Sequence, residues 1–114
     1  MNNPHPVTEA TQYPVGLVFD VSFAEFSVRL TTLPNRALRF EIATGPYART
    51  EEVQIDTTLI RPGVFLVSWV EHSGATVVHV EDFAQGHLYS HATLAGGTFL
   101  RMAGPLRVVD TGTL

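Results

Sequence analysis

Residues 63–83 read GVFLVSWVEHSGATVVHVEDF and contain the pattern that decides the fold. Large side chains recur at every second position from Phe65 to Trp69, and a Ser73-Gly74 turn separates this run from a second alternating run. Alternation with period two is typical of strands that bury one face, and a short turn between two such runs is typical of a β-hairpin. The stretch therefore predicts two antiparallel neighbouring strands.

The same alternation covers most of the chain, and turn residues interrupt it at intervals of about 8 to 12 residues, as in an antiparallel meander. The predicted strands are 15–23, 26–30, 38–42, 52–59, 63–71, 75–83, 86–94 and 98–109. No stretch shows a sustained period of 3.6, so little helix is expected. Since an open sheet would leave two exposed edges, the sequence predicts an all-β, antiparallel, eight-stranded barrel.

Length and composition favour one domain. The chain has 114 residues, of which 45% are hydrophobic and 16% charged, and this is enough for one compact core and too little for two. Residues 1–14 hold Pro4, Pro6 and Pro14 among polar residues, so they are expected to form a flexible N-terminal arm. Residues 15–114 are expected to form the barrel domain.

Charge and residue usage exclude several classes of function. The formal net charge is −4, which disfavours nucleic acid as a partner. The absence of cysteine excludes thiol catalysis and thiolate metal sites. The first residues lack an apolar signal region, and no run approaches the roughly 20 apolar residues of a membrane span, so a cytoplasmic protein without a membrane partner is expected. An exposed strand could pair across a two-fold axis, which makes a homodimer a further expectation.

Glu71 is the first candidate for chemistry. It shares a strand face with Phe65 and Trp69, and a small barrel has room inside for packed side chains or one small ligand. If this face lines the interior, Glu71 would be available as a proton donor or acceptor near neutral pH. In the alternative interpretation, Glu71 ends its strand in water.

His79, Glu81 and Arg101 are further candidates, but their orientation depends on the hairpin register. A three-residue loop after Glu71 would place His79 and Glu81 on the same face as that residue, whereas a two-residue loop would turn them outward. Facing inward, the three side chains would supply a proton-transfer pair and a cation for a carboxylate ligand. Facing outward, they would form a solvated cross-strand ladder.

The remaining candidates would bind the ligand. Phe65, Trp69 and Phe99 would form an apolar wall, and Tyr47 and Tyr89 would supply polar contacts. No metal site is expected, because strand neighbours such as His87 and His91 would lie about 13 Å apart. No nucleotide-binding or nucleophile motif is present, so no cofactor is expected.

Segments 63–74 and 78–83, which contain Trp69, Glu71 and the His-Val-Glu-Asp-Phe run, together with 99–104, resemble the MoaF-like family of small barrels over roughly residues 15–108. Segment 63–74 is distantly similar to a strand of the phenolic acid decarboxylases, which are calycin-type, lipocalin-like barrels that usually form dimers. That resemblance implies a proton-transfer role for Glu71.

The similarity to the decarboxylases is weaker outside this strand. Asp20 and Ser22 stand where those enzymes have substrate-orienting tyrosines, and Pro46 stands where they have an arginine, with Arg49 nearby but out of register. The sequence therefore predicts a cofactor-free lyase, isomerase or cyclase that acts on a small apolar or aromatic molecule. The alternatives are a carrier or sensor that does not convert its ligand, and a structural barrel filled by its own aromatic side chains.

Overall fold

Nine antiparallel strands form one curled sheet in the computed structural model, which describes residues 6–112. In chain order they are β1 (Val18–Ser22), β2 (Ser27–Leu33), β3 (Ala37–Ile42), β4 (Arg49–Gln54), β5 (Asp56–Arg61), β6 (Val64–Val70), β7 (Thr76–Asp82), β8 (His87–Thr93) and β9 (Phe99–Asp110). The helix in the described residues is one 3-10 turn, Val7–Glu9. No helix within residues 6–112 has the length and apolar character needed to cross a bilayer. The prediction of an all-β antiparallel fold is confirmed.

The order of strands across the sheet is β4-β3-β2-β1-β9-β8-β7-β6-β5. Apart from β4 and β5, strands that are consecutive in the chain pair with each other, and β1 and β9 form the one pair that is distant in sequence. The two edge strands, β4 and β5, are consecutive in the chain and do not pair with each other. The sheet curls into a half-barrel, and its two edges meet at the residue that joins β4 to β5.

The structure has nine strands because the predicted strand 52–59 is divided at Ile55. Residues before Ile55 pair with β3, and residues after it pair with β6. Val53 and Ile55 are both buried, so the alternation of buried and exposed positions continues through the break. The alternation therefore gives no sign that the chain changes its pairing partner.

The concave side of the sheet holds the core. Buried and exposed positions alternate along β2, β3, β7 and β8, as expected for strands with one face packed and one solvated. Side chains of every strand from β1 to β4 and from β6 to β9 meet in one apolar cluster, which includes Phe19, Leu30, Leu38, Val53, Phe65, Val77, Leu88 and Leu106. The interior is therefore filled at its centre.

The described part of the N-terminal arm, residues 6–14, lies against the barrel. Val7 is buried, and Tyr13 packs edge-on against Phe65 with ring centroids 5.3 Å apart. The amide of Gly63 donates to the carbonyl oxygen of Ala10 at 2.8 Å. A side chain at Gly63 would come within 2.2 Å of the Thr8 carbonyl oxygen, so this close approach requires glycine. Residues 1–5 of the predicted flexible arm lie outside the described residues.

Candidate functional site

The β6–β7 hairpin determines which side chains face the interior. The amide of Glu71 donates to the carbonyl oxygen of Ala75 at 2.8 Å, which leaves three loop residues, 72–74, between them. This is the loop length that keeps Glu71, His79 and Glu81 on one face, and all three are buried. Of the two registers left open by the sequence, the structure has the one that turns these residues inward.

A cavity of about 70 Å³ lies inside one end of the barrel. One water molecule needs roughly 10–15 Å³ measured in this way, so the cavity has room for a small ligand or several waters. Its wall is mostly apolar, and its ionisable side chains are Tyr47, Arg49, Glu71 and His79. The full lining is Phe23, Phe26, Val28, Leu30, Phe40, Ile42, Tyr47, Arg49, Trp69, Glu71, Ala75, Val77, His79, Ser90, Ala92, Leu94, Leu100 and Met102.

Glu71 is held by two donors. Its Oε1 accepts a hydrogen bond from Nη2 of Arg49 at 2.5 Å, and its Oε2 accepts one from the indole Nε1 of Trp69 at 3.1 Å. Glu71 is only 7% exposed. A buried carboxylate needs such charge-assisted and neutral donors to remain in the interior.

Arg49 begins β4 and closes the barrel beside the cavity. Its side chain is 38% exposed, so it lies at the boundary between the cavity and solvent. Nη1 donates to the carbonyl oxygen of Tyr47 at 2.9 Å, and the guanidinium lies over the ring of Phe40 at 5.1 Å. The pair of Arg49 and Glu71 therefore connects edge strand β4 to the end of β6, where the sheet lacks backbone pairing.

His79 packs edge-to-face against Trp69, with ring centroids 4.7 Å apart. Its Nδ1 lies 3.1 Å from Oε2 of Glu81. Within residues 6–112, Nε2 has no hydrogen-bonding partner, and no fully enclosed polar side-chain atom is unpartnered. Because Nδ1 is engaged by Glu81 and His79 lines the cavity, Nε2 is the ring nitrogen left for a group in the cavity.

Glu81 is completely buried behind His79 and does not reach the cavity. Its second oxygen, Oε1, accepts a hydrogen bond from the Tyr13 hydroxyl at 2.6 Å. Burial, followed by the charge and the hydrogen bond of Glu81, raises the pKa of Tyr13 well above its ordinary value. The phenol therefore stays protonated and remains a donor.

Comparison with known proteins gives the family. Residues 15–107 match the family model described as MoaF-like. The chain belongs to the MoaF-like family. No curated protein matches this MoaF-like chain. A crystal structure described as a proposed beta-lactamase from Burkholderia vietnamiensis is similar to it, with 32% identity and a TM-score of 0.81, over 87% of this chain and 100% of the other.

Three of the predicted site residues lie on the outer face of the MoaF-like barrel. Tyr89 is 50% exposed and Phe99 is 47% exposed, and Arg101 is exposed with its guanidinium over the Phe99 ring at 4.9 Å. The expectation that Tyr89 and Phe99 contact a ligand in the interior is wrong, and Arg101 has the outward orientation of the two that the sequence left open. In β8 and β9 the inward positions are the even-numbered ones, because His79 pairs with Ser90, and Ser90 with Met102.

The other predicted residues of the MoaF-like chain face inward. Trp69 and Tyr47 line the cavity together with Glu71 and His79. Phe65 is buried in the central core, where it contacts Tyr13 and Phe83 rather than the cavity.

Sequence reasoning missed Arg49 and Tyr13 as members of this MoaF-like site. Arg49 comes directly before an alternating run, where a charged residue is also common on a solvated edge. Tyr13 is an aromatic residue in an otherwise polar, proline-rich arm, and this is a signal that the arm docks. Within residues 6–112 no group of three or more His, Asp or Glu side chains is arranged to hold a metal ion.

Proposed function

We propose that this MoaF-like barrel binds a small, largely apolar organic molecule in its cavity and transfers a proton to or from it, as a cofactor-free lyase, isomerase or cyclase. The observation that carries the proposal is the presence of two buried ionisable side chains, Glu71 and His79, in the wall of a mostly apolar cavity. Burial of such groups is costly and is common at sites of acid/base chemistry.

Glu71 and His79 suit proton transfer in different ways. Glu71 is an acceptor whose charge is supported by Arg49 and Trp69. His79 has the Glu81 carboxylate behind Nδ1, which is the arrangement that orients a histidine as a general base in many enzymes. We propose that one of these groups removes a proton from a ligand lying between them and returns it to another atom of the ligand, while the other group holds the ligand in place.

Arg49 supplies a cation at the boundary of the cavity. Its guanidinium is partly exposed, and guanidinium binds carboxylate and carbonyl oxygens with paired donors. A ligand with one polar end and one apolar end would place the polar end at Arg49 and the apolar end among Phe40, Val77 and Met102. The small cavity favours a ligand smaller than the molecules that occupy typical drug-sized sites of about 300–1,000 Å³.

The experiment is ligand-observed NMR on the wild type, Glu71→Gln and His79→Gln. The compounds are hydroxycinnamic acids, other small aromatic acids and enones, and Arg101→Gln on the outer face is the matched control. Binding to all four proteins, with conversion by the wild type and Arg101→Gln only, would support the proposal. Unchanged turnover in Glu71→Gln would remove Glu71 from the mechanism.

A carrier or sensor that does not convert its ligand is the second candidate. It is favoured by the fact that both carboxylate oxygens of Glu71 already accept hydrogen bonds, so the pair with Arg49 could serve only to hold β4 in place. In that case every bound compound should be released unchanged, and Glu71→Gln should alter only the affinity.

We propose no beta-lactamase activity for this chain, although the similar Burkholderia vietnamiensis structure is described as a proposed beta-lactamase. The serine beta-lactamase motif S-x-x-K requires a lysine, and this chain has none. The cytoplasmic location, the homodimer and the absence of a cofactor stay predictions from the sequence.

A further inference from the structure

Tyr13, Glu81 and His79 form a continuous hydrogen-bonded chain from the N-terminal arm to the cavity wall. We infer that Tyr13 is a positioning residue, which acts through Glu81 to hold His79 with Nδ1 protonated and Nε2 presented to the cavity as an acceptor. This role rests on the proposed function, because Nε2 matters only if a ligand enters the cavity.

The direction of each hydrogen bond follows from the donors available. The Tyr13 hydroxyl donates to Oε1 of Glu81 at 2.6 Å, and the raised pKa of Tyr13 keeps that proton in place. Glu81 is fully buried, so an ionised carboxylate there must accept at both oxygens. Nδ1 of His79 lies 3.1 Å from Oε2 and is the available donor. In the neutral ring this leaves Nε2 without a proton.

The arm brings Tyr13 to this position through contacts that are independent of Glu81. Val7 is buried, Ala10 accepts a backbone hydrogen bond from Gly63, and the Tyr13 ring packs on Phe65. Glu81 and His79 are on one strand, two residues apart, so they share a face whether or not the arm is present. Docking of the arm therefore adds the Tyr13 hydroxyl as a second donor to Glu81, which already pairs with His79 on β7.

The test is an NMR pH titration of the His79 imidazole in the protein without ligand. The His79 signal is assigned by its absence from the spectrum of His79→Gln. Spectra are recorded for the wild type, Tyr13→Phe, Glu81→Gln and the outer-face control Tyr89→Phe. The ring nitrogen shifts report which nitrogen carries the proton, and the midpoint of the titration reports how strongly Glu81 favours the charged ring.

The two variants are expected to move the midpoint in opposite directions. Tyr13→Phe leaves the carboxylate with one donor instead of two, so its charge acts more strongly on His79 and the midpoint should rise by roughly half a pH unit to one unit. Glu81→Gln removes the charge, so the midpoint should fall. Tyr89→Phe should match the wild type. A general loosening of the fold would move both variants in the same direction.

Two results would overturn the inference. One is a wild-type His79 that carries its proton on Nε2 in the neutral form. The other is a Tyr13→Phe protein that matches the wild type at every pH, or that shifts in the same direction as Glu81→Gln. The His79 titration tests this inference independently of the proposed function. If the wild type converts no compound but the opposite shifts are observed, the positioning of His79 is supported and the enzymatic role is not.

Discussion

Nη2 of Arg49 and Oε1 of Glu71 lie 2.5 Å apart, and they connect edge strand β4 to the end of β6, two strands that are not paired with each other. The pair therefore has two consequences, one for the closure of the sheet and one for the charge of the cavity. A substitution on either side should affect both stability and ligand binding.

Arg49→Gln is expected to destabilise the protein. It removes the charged donor from a buried carboxylate and leaves Glu71 with the Trp69 indole alone, at a cost of about 1–3 kcal/mol in the free energy of unfolding. Denaturant unfolding followed by fluorescence would measure this change. Arg101→Gln, on the outer face, should change the free energy of unfolding by less than about 0.5 kcal/mol. An equal loss in both variants would contradict a specific role for the pair.

Ala92→Leu is expected to fill the cavity. Ala92 is buried and lines it, so the larger side chain should abolish ligand binding while changing the free energy of unfolding by less than about 1 kcal/mol, below the usual cost of overpacking a filled core. Ala103→Leu on the exposed face of β9 is the control. Ligand-observed NMR would compare the two, and undiminished binding by Ala92→Leu would show that the ligand binds elsewhere.

The raised pKa of Tyr13 predicts that the free energy of unfolding falls at alkaline pH. Its pKa is raised in the folded protein, whereas the unfolded value is about 10. The stabilisation is therefore complete below about pH 10 and is lost as the pH rises above it, with a slope of up to roughly 1.4 kcal/mol per pH unit. Tyr13→Phe should be less stable at neutral pH and should show a shallower decline above pH 10. Unfolding curves between pH 8 and 11 would measure both slopes, and identical slopes would contradict the prediction.

The lowered pKa of Asp20 predicts a smaller loss of stability at acidic pH. Its hydrogen bond with Arg29 lowers the pKa of the carboxyl, so the pair stabilises the fold above the unfolded value of about 3.9 and the effect is lost as the pH falls through the folded value. Asp20→Asn should lower Tm by roughly 2 °C at pH 7, since the pair is partly exposed. The Tm values of the variant and the wild type should converge as the pH falls below the unfolded value, and a constant difference would exclude this cause.

The sequence predicted the class of fold and much of the interior, because alternation reports which residues share a face. It could not report which face is buried when both carry plausible side chains. In β8 the outward set of His87, Tyr89 and His91 looks more like a binding surface than the inward set that contains Ser90 and Ala92. Register alone separates the two, and register depends on loop geometry.

Contacts between distant segments were also beyond prediction. The distance between Tyr13 and Glu81 is 68 residues along the chain, and the distance between Arg49 and Glu71 is 22 residues. No local pattern connects these positions. The site was therefore predicted for the two residues of the β6–β7 hairpin, Glu71 and His79, and missed for the two residues that reach them from elsewhere.

The position of the unpaired edges determines how the chain can be rewired. β4 and β5 are consecutive in the chain but are not paired with each other. A circular permutant that starts at Asp56 and links Gly112 to Pro6 would therefore contain the same nine strands as an unbroken meander. Its β1–β9 pair would become a local hairpin-like contact, and lower contact order is associated with faster folding. In the natural order that pair closes a loop of nearly the whole chain. The entropy of loop closure therefore opposes this pairing more in the native chain than in the permutant, and the arm that carries Tyr13 directly precedes the strand that makes the pairing.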